Sequence, residues 1–570
     1  MFTSGVPRLL PNAHGEVLTP SIVGLLESGE IVVGQAASEL ALTKPERTVA
    51  TFKRWMGEGR EVEIAGKSFT APQLSSLVLR ALKLDAEAAL GQEIQEAVIT
   101  VPAYFNENQR RATRNAVELA GLNVKRVVNE PTAAALSFGF RDGDASKLLL
   151  VFDLGGGTFD VTVMEIFEGT LEILSTAGES RLGGEDFSDA LMAYVLERSG
   201  RMLEQAEVME PLLVARLRKE AEAAKRKLGE DGQAVIRMPT SEGEIGKDSE
   251  TLTLDAAIFE STCSRLIKRL RTPIERALRD ARKSVESIDD VLLVGGATRM
   301  PVVRTLVQDI FGKPARTDVD PDQAVALGAA VQAALIRDDK AVEDVVLTDV
   351  CPFTLGIEIV KHFGGRRVEG YYMPIIHRNT TIPVSREERV FTVDAGQTEL
   401  KIGVYQGEGR RTDDNLFLGE LQVTPIPVGP AGQEVAVRFT YDINGLLEVE
   451  AYILGSQKHF QTVLKNNVKG MSEGEVKEAL ARMQEMKFYP RDKLENRRLL
   501  HFAEGRFQEV EPFSRDQLEQ AVDFFEHALD SGDRELFDSA RSQLVMMLSA
   551  LGFPYDGKGH DELGNNEQTP

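Results

Sequence analysis

A chain of 570 residues exceeds one ordinary core, and 42% hydrophobic with 27% charged residues is the balance of a folded globular protein. Against 66 Lys and Arg stand 89 Asp and Glu, a formal charge of −23 that argues against holding nucleic acid by general electrostatics. Two cysteines, Cys263 and Cys351, make neither a disulfide framework nor a structural zinc site, and no apolar run reaches the length of a signal peptide core or a bilayer span. The expectation is a cytoplasmic chain with no membrane partner.

From about residue 20 to residue 337, short β-branched runs alternate with amphipathic helices, which predicts α/β architecture. Val98-Ile-Thr-Val-Pro102 reads as a buried strand, followed by a helix capped at Asn106 and ended at Gly121. Lys147 to Val163 reads as strand, glycine turn and strand, and Val291-Leu-Leu-Val294 leads through Gly295-Gly296 towards another helix. Charge breaks the pattern at residues 338–345, which places an interdomain linker over 338–350. Beyond it the period becomes two: Leu400, Ile402 and Val404 share a face, as do Val435, Val437 and Phe439, and Asn444-Gly445 is a preferred type I′ hairpin turn. Residues 351–468 are therefore expected to form an antiparallel β domain. A helical segment over 469–556 follows: Ser472 with Glu475 opens a helix through Val476, Ala479, Leu480 and Met483, and Ser514 with Gln517 opens a second that stops near Gly532. A third runs to Gly552, and residues 557–570 form a polar tail.

The sharpest chemical signal is Asp153-Leu-Gly155-Gly156-Gly157-Thr158-Phe-Asp160. Three glycines let backbone N–H groups approach an anion, Thr158 adds a hydroxyl, and two carboxylates beside a phosphate call for a cation such as Mg²⁺. A tight hairpin with acidic rims is the alternative. Gly295-Gly-Ala-Thr-Arg299 follows another strand and describes a second wall of a nucleotide cleft, or else only close packing of a helix on a sheet.

Together with Val127-Val-Asn-Glu130-Pro-Thr-Ala-Ala-Ala, Ile99-Thr-Val-Pro102-Ala-Tyr-Phe and Leu182-Gly183-Gly184-Glu-Asp-Phe187, these residues resemble DnaK-type chaperones of the seventy-kilodalton heat-shock family. Phe52-Lys-Arg-Trp-Met-Gly, Thr348-Asp-Val-Cys351-Pro-Phe, Ile376-His-Arg-Asn-Thr-Thr-Ile-Pro and Tyr441-Asp-Ile-Asn-Gly-Leu-Leu-Glu-Val resemble its HscC-like branch. The resemblance implies a multidomain fold: an α/β actin-like ATPase domain over 1–337, the linker, an antiparallel β-sandwich for peptide and an α-helical lid. It implies ATP and Mg as ligands, with Asp153 and Asp160 holding the metal, Gly155, Gly156, Gly157 and Thr158 cradling phosphate, and Glu130 positioning the attacking water. Gly183, Gly184, Arg276, Gly295, Gly296 and Arg299 would line the rest of the nucleotide. Peptide would meet Ile357, Val360, Phe391, Leu400 and Ile402, and Pro102, Arg110, Arg114, Arg126 and Asp349 would relay nucleotide state. Implied partners are unfolded polypeptide segments, a J-domain co-chaperone and a nucleotide exchange factor.

Three departures from the family pattern shape the expectation. The opening strand of the form Gly-Ile-Asp-Leu-Gly-Thr-Thr is absent, which leads to the expectation that the chain begins upstream of Met1. The family's catalytic lysine is expected at Glu61, beside Arg60, and its Glu-x-x-Lys-Arg on the adenosine-facing helix at Thr272-Pro-Ile-Glu275-Arg276. An impaired site would suit an ATP-independent holdase or scaffold, and a small-molecule kinase shares the actin-like fold without the β domain.

Overall fold

The computed structural model describes residues 1–142, 146–167, 170–316, 319–342, 346–442, 445–453, 459–464, 494–507, 509–531 and 534–555. The predicted helix at Ser472, the polar tail, and Asn444 and Val345 lie outside them. Two compact units emerge, one of Met1–Phe353 with short later segments, the other of Thr354–His377, Ile382–Lys465 and Met471–Pro570.

The first unit is built on a mixed sheet that runs through Asp290–Val294, Lys147–Leu154, Phe159–Phe167, Thr170–Glu179 and Val346–Val350 in that spatial order. Alternation along Lys147–Leu154 divides its side chains between two cores. Leu148, Leu150, Phe152 and Leu154 join the core under helices Gly184–Arg198, Pro211–Asp231, Ala256–Asp280 and Pro301–Phe311. Leu149 and Val151 join the core under Glu130–Asp142 and Ala324–Ile336. A strand buried on both faces reads as a continuous apolar run, and each buried Leu or Phe there contributes about 1.5–3 kcal/mol.

A separate core gathers Leu74, Val78, Phe52, Phe105 and Ala116 between helices Ala71–Leu90 and Glu107–Leu119 and smaller sheets. One of these is antiparallel, Ile31–Val33, Val23–Leu25 and Thr48–Val49. Another is the parallel pair Glu96–Val101 and Asn123–Asn129, where Val101, Val128 and Asn129 are buried. The expected buried strand at Val98 is thus only half-buried, in a sheet of two strands among the described residues. The Asn106 cap forms as expected: its side chain accepts from the Gln109 amide, and the helix ends beside Gly121 at φ 74°.

In the second unit two four-stranded antiparallel sheets match the predicted β domain. One runs Arg366–Ile376, Leu355–Phe363, Leu400–Gln406, Leu416–Val423, the other Val384–Phe391, Glu434–Tyr441, Leu447–Ile453, His459–Leu464. Helices Leu494–Arg506, Pro512–Ser531 and Arg534–Ala550 share a core around Leu518, Phe525, Phe537 and Leu544. The helix expected to start at Ser514 begins two residues earlier. Pro512 takes the first turn, where its missing N–H costs nothing, and the Ser514 amide already bonds to Glu511 O.

Candidate nucleotide site and peptide groove

Strands Lys147–Leu154 and Phe159–Phe167 pair in register, so Asp153 stands directly opposite Asp160 across the glycine turn. Both carboxylates are buried, and so is Thr158. The turn closes through the Gly155 amide, which donates to Thr158 O at 3.1 Å. A second glycine segment packs onto it: the Gly184 and Glu185 amides donate to Gly155 O and Gly156 O, each at 2.9 Å. These are the first amides of helix Gly184–Arg198, so the helix start is tied to the glycine turn, and its dipole favours negative charge nearby. Gly183 fits because a Cβ there would lie 2.5 Å from the Gly156 carbonyl carbon and oxygen. Gly295 approaches from the third side at φ 83°, with its absent Cβ aimed at Leu154 O and 2.9 Å from the Gly155 amide nitrogen. Residues 153–158, 183–184 and 295 therefore meet as predicted.

Glu130 opens helix Glu130–Asp142 at the same place. Its carboxylate receives a hydrogen bond from Lys53 Nζ at 2.7 Å. Desolvation works against the lysine charge, but Glu130, with Asp153 and Asp160 behind it, outweighs this and holds the Lys53 pKa above its ordinary value. Burial raises the Asp153 pKa well above the carboxylate range, helped by Glu130 and Asp160. Asp160 is pushed up to about 7, by burial first and Glu130 second, against the Tyr104 amide that donates to it at 3.1 Å. Asp153 Oδ2 is buried without a hydrogen-bond partner. An orphaned carboxylate oxygen beside a second buried carboxylate is the donor chemistry a hard divalent cation takes, so the residues fit magnesium.

Two sequence expectations need correction here. The cation at the site is Lys53, not a residue near Glu61. Glu61 lies on the exposed hairpin Glu61–Ile64 and Lys67–Thr70, where it accepts from Ser68 Oγ, and Arg60 sits 4.3 Å over the Trp55 ring. Counting along the chain missed Lys53 because packing of Phe52–Trp55 against Phe105 and Leu74 in one core, not spacing, brings it to Glu130. The Glu-x-x-Lys-Arg set is Glu222, Lys225 and Arg226, on helix Pro211–Asp231. Buried Lys225 donates to Gly184 O at 2.8 Å and Ser188 Oγ at 2.9 Å and pairs with Glu222. Arg276 instead donates to Tyr104 Oη at 3.1 Å. Arg299 is engaged by Asp320 at 2.7 Å and Asp322 at 3.0 Å, and a Cβ on Gly296 would meet Asp322. Arg54, also missed, lies against Gly157 and pairs with Asp186 at 2.5 Å.

Two of the expected relay residues, Arg110 and Asp349, are joined through Asn129. Arg110 donates to Ala103 O and, at 2.6 Å, to Asn129 Oδ1, and Asn129 Nδ2 donates to Asp349 at 3.1 Å. Pro102 sits one residue before Ala103, and its carbonyl accepts from Phe105. Arg114 follows Arg110 by about one turn of helix Glu107–Leu119. Burial raises the Asp349 pKa, opposed by the Val350 amide, Arg110, Arg126 and Asn129 in that order. Asp349 belongs to strand Val346–Val350, which pairs parallel with Thr170, Leu171 and Glu172. The second half of the predicted linker is thus a strand of the first unit's mixed sheet.

In the β domain, strand Leu355–Phe363 pairs with Leu400–Gln406 only from Leu355 to Ile357. Beyond Ile357 the two strands part, past a bulge at Val360. Ile357 and Ile402 are buried core residues, Val360 and Leu400 are half-buried, and Phe391, on the other sheet, is 57% exposed.

A family model described as Hsp70 protein matches residues 1–63 and 58–544. The chaperone protein DnaK of Thermotoga petrophila is 42% identical over 486 residues, covering 84% of this chain and 79% of that protein. DnaK of Thermosipho africanus is 37% identical over 555 residues, covering 93% and 90%. With a glycine-lined α/β site, an antiparallel β domain and C-terminal helices all in one chain, these matches show that the protein belongs to the Hsp70 family, as a DnaK-type ATP-dependent chaperone.

Proposed function

We propose that this ATPase chaperone uses Asp153 and Asp160 to hold magnesium, Gly155 to Thr158 and the Gly184 segment to receive the terminal phosphates, and Lys53 with Glu130 to position the attacking water. The observation that carries this is the convergence of three carboxylates and one lysine beside the glycine turn that joins Asp153 to Asp160. Bound magnesium would neutralise charge on the phosphates and on the two aspartates. Lys53 orients Glu130 and adds positive charge where charge develops on the transferred group. Glu222, Lys225 and Arg226, with Gly295, Gly296 and Arg299, form the nucleoside end of this reading, with Lys225 bonded to Gly184 O and Gly295 packed on Gly155.

Peptide capture falls to the β domain, where strand edges that part after Ile357 suit an added extended segment and Val360, Leu400 and Phe391 offer apolar surface. Arg110, Asn129 and Asp349 couple the two activities, since Asp349 sits on the strand of the ATPase sheet that comes just before the β domain in the chain. Of the two supports of the holdase reading, the absent opening strand and the Glu61 position, Lys53 beside Glu130 removes the second, and the kinase reading leaves the β domain without a task. We further assign the chain to an HscC-like branch working in the cytoplasm with a J-domain partner and an exchange factor, on the sequence segments that resemble that branch. Peptide release followed by fluorescence anisotropy, with and without Mg-ATP, tests the reading. Faster release with Mg-ATP is expected, and identical rates would defeat it.

A further inference from the structure

Arg54, the residue after Lys53, has no task in the mechanism above. Phe52–Trp55 is a single 3₁₀ turn, in which successive side chains leave the axis about 120° apart. Lys53 therefore reaches Glu130 on one side while Arg54 reaches Asp186 on another. Thr51, which opens the turn, stands at φ 57° and ψ 10°. A β-branched residue is strained in that region, and such strain persists only where the surroundings fix it. Phe52 and Trp55 do so by packing in the same core as Leu74 and Phe105.

Arg54 meets the glycine segments at two points. Its Nε, Cγ and Cδ crowd Gly157, where a Cβ would lie 2.9, 3.3 and 3.6 Å from them. Its terminal nitrogens donate to Asp186, Nη2 to Oδ2 at 2.5 Å and Nη1 to Oδ1 at 3.4 Å. Asp186 Oδ2 also accepts from the Gly183 amide at 2.8 Å. The carboxylate that receives Arg54 thus holds the segment whose next two amides bond to Gly155 O and Gly156 O. The two side chains are 19% and 22% exposed, so the pair is better shielded than a surface pair, and the planar guanidinium fixes direction as well as distance. Arg54 Nε is buried without a hydrogen-bond partner, a cost that an arginine placed for stability alone would avoid.

We propose that Arg54 is a positioning residue for ATP hydrolysis: tied to Asp186 and laid over Gly157, it sets the place of Lys53 relative to the glycine turn. The inference rests on the reading of Lys53 with Glu130 as the pair that positions the attacking water. Arg54 acts through its neighbour. The two Cα atoms are joined by one peptide unit, about 3.8 Å long, so a shift of the Arg54 backbone carries Lys53 with it. Misplacement by about 1 Å costs up to about a hundredfold in rate.

Single-turnover ATP hydrolysis by the full chain, with Mg-ADP affinity measured by calorimetry on the same proteins, tests it. Arg54→Ala is expected to slow hydrolysis about tenfold or more while Mg-ADP affinity changes less than about threefold. Arg54→Lys keeps the charge without the fork and should recover only part of the rate. Asp186→Asn keeps an acceptor for the Gly183 amide and removes the ionic partner, so it should slow hydrolysis as Arg54→Ala does, and the two together should be no slower than either. In a Lys53→Met background Arg54→Ala should have no further effect, because the group it positions is gone. Phe52 and Trp55 in their core, and the Glu58–Arg181 pair, still anchor the segment in every one of these variants, and Asp186→Asn repeats the test without altering it. A wild-type rate in Arg54→Ala, an equal loss of rate and affinity, or a full further loss in the Lys53→Met background would each overturn the inference, and a slow Lys53→Met protein would then leave the ATPase reading intact. A wild-type rate in Lys53→Met would overturn both.

Discussion

Substituting Gly183 by Ala perturbs the nucleotide site through one methyl group. Gly183 is extended, with φ −172° and ψ −175°, so alanine is conformationally allowed and only the contact matters. The new Cβ would lie 2.5 Å from both the carbon and the oxygen of the Gly156 carbonyl and would press on the Gly157 amide nitrogen. Ordinary contact begins near 3.4 Å, so the two glycine segments must separate by about 0.9 Å. Neither neighbour is a flexible side chain, and overpacking of this kind costs about 1–3 kcal/mol. The same displacement stretches the bonds from the Gly184 and Glu185 amides to Gly155 O and Gly156 O from 2.9 Å to beyond hydrogen-bond range. Losing two bonds at about 1 kcal/mol each weakens a phosphate cradle built on them by about 2 kcal/mol, or about thirtyfold in affinity. Isothermal titration with Mg-ADP measures the affinity, and differential scanning fluorimetry should show the melting of the first unit lowered by about 1–4 °C. Gly156→Ala is the paired control, because a Cβ there meets nothing within 4 Å. It should leave melting unchanged and weaken only nucleotide binding. A Gly183→Ala protein with wild-type melting and affinity would refute the packing argument.

Lys53→Met removes the cation from Glu130 and should lower single-turnover ATP hydrolysis by about a hundredfold or more, with nucleotide affinity changed far less; an unchanged rate would return the role to another residue. Raised pKa values at Asp153 and Asp160 mean that the metal-free folded protein keeps protons there which the unfolded chain releases near pH 4, so the ionised pair becomes destabilising as pH rises towards 7 and above. Magnesium must displace those protons, so its affinity should rise between about pH 6 and 8, with proton uptake by buffer in calorimetry, and a pH-independent affinity would contradict the assignment. Asp349→Asn weakens the contact with Asn129 while sparing the catalytic cluster, and should leave basal hydrolysis within about twofold while reducing Mg-ATP-induced peptide release. Burial pushes the Cys263 thiol up to about 12, so a disulfide reagent at mild alkaline pH should modify it only after unfolding. Prompt native-state reaction at Cys263 would show that helix Ala256–Asp280 is opened more often than its packing allows.

What the amino-acid sequence determined by itself was everything carried by short-range backbone geometry. Asp153 to Asp160 is a strand, a glycine turn and a strand because eight consecutive residues specify it, and the Asn106 cap and Gly121 stop act within one helical turn of their targets. Period-two alternation likewise announced both sheets of the β domain. Only tertiary packing decided which distant side chains complete the site. Lys53 and Glu130 are 77 positions apart, and Lys225 meets Gly184 across 41. Neither distance is encoded in a local period, since the intervening loops and helices set it through the cores they bury. The Phe52-Lys-Arg motif and the Glu222-x-x-Lys-Arg spacing are both present in the sequence, yet the resemblance by itself points to Glu61 and Arg276. Folding placed those two on an exposed hairpin and beside Tyr104, because a hydrophobic core fixes a side chain by what it packs against, and that contact has no linear address.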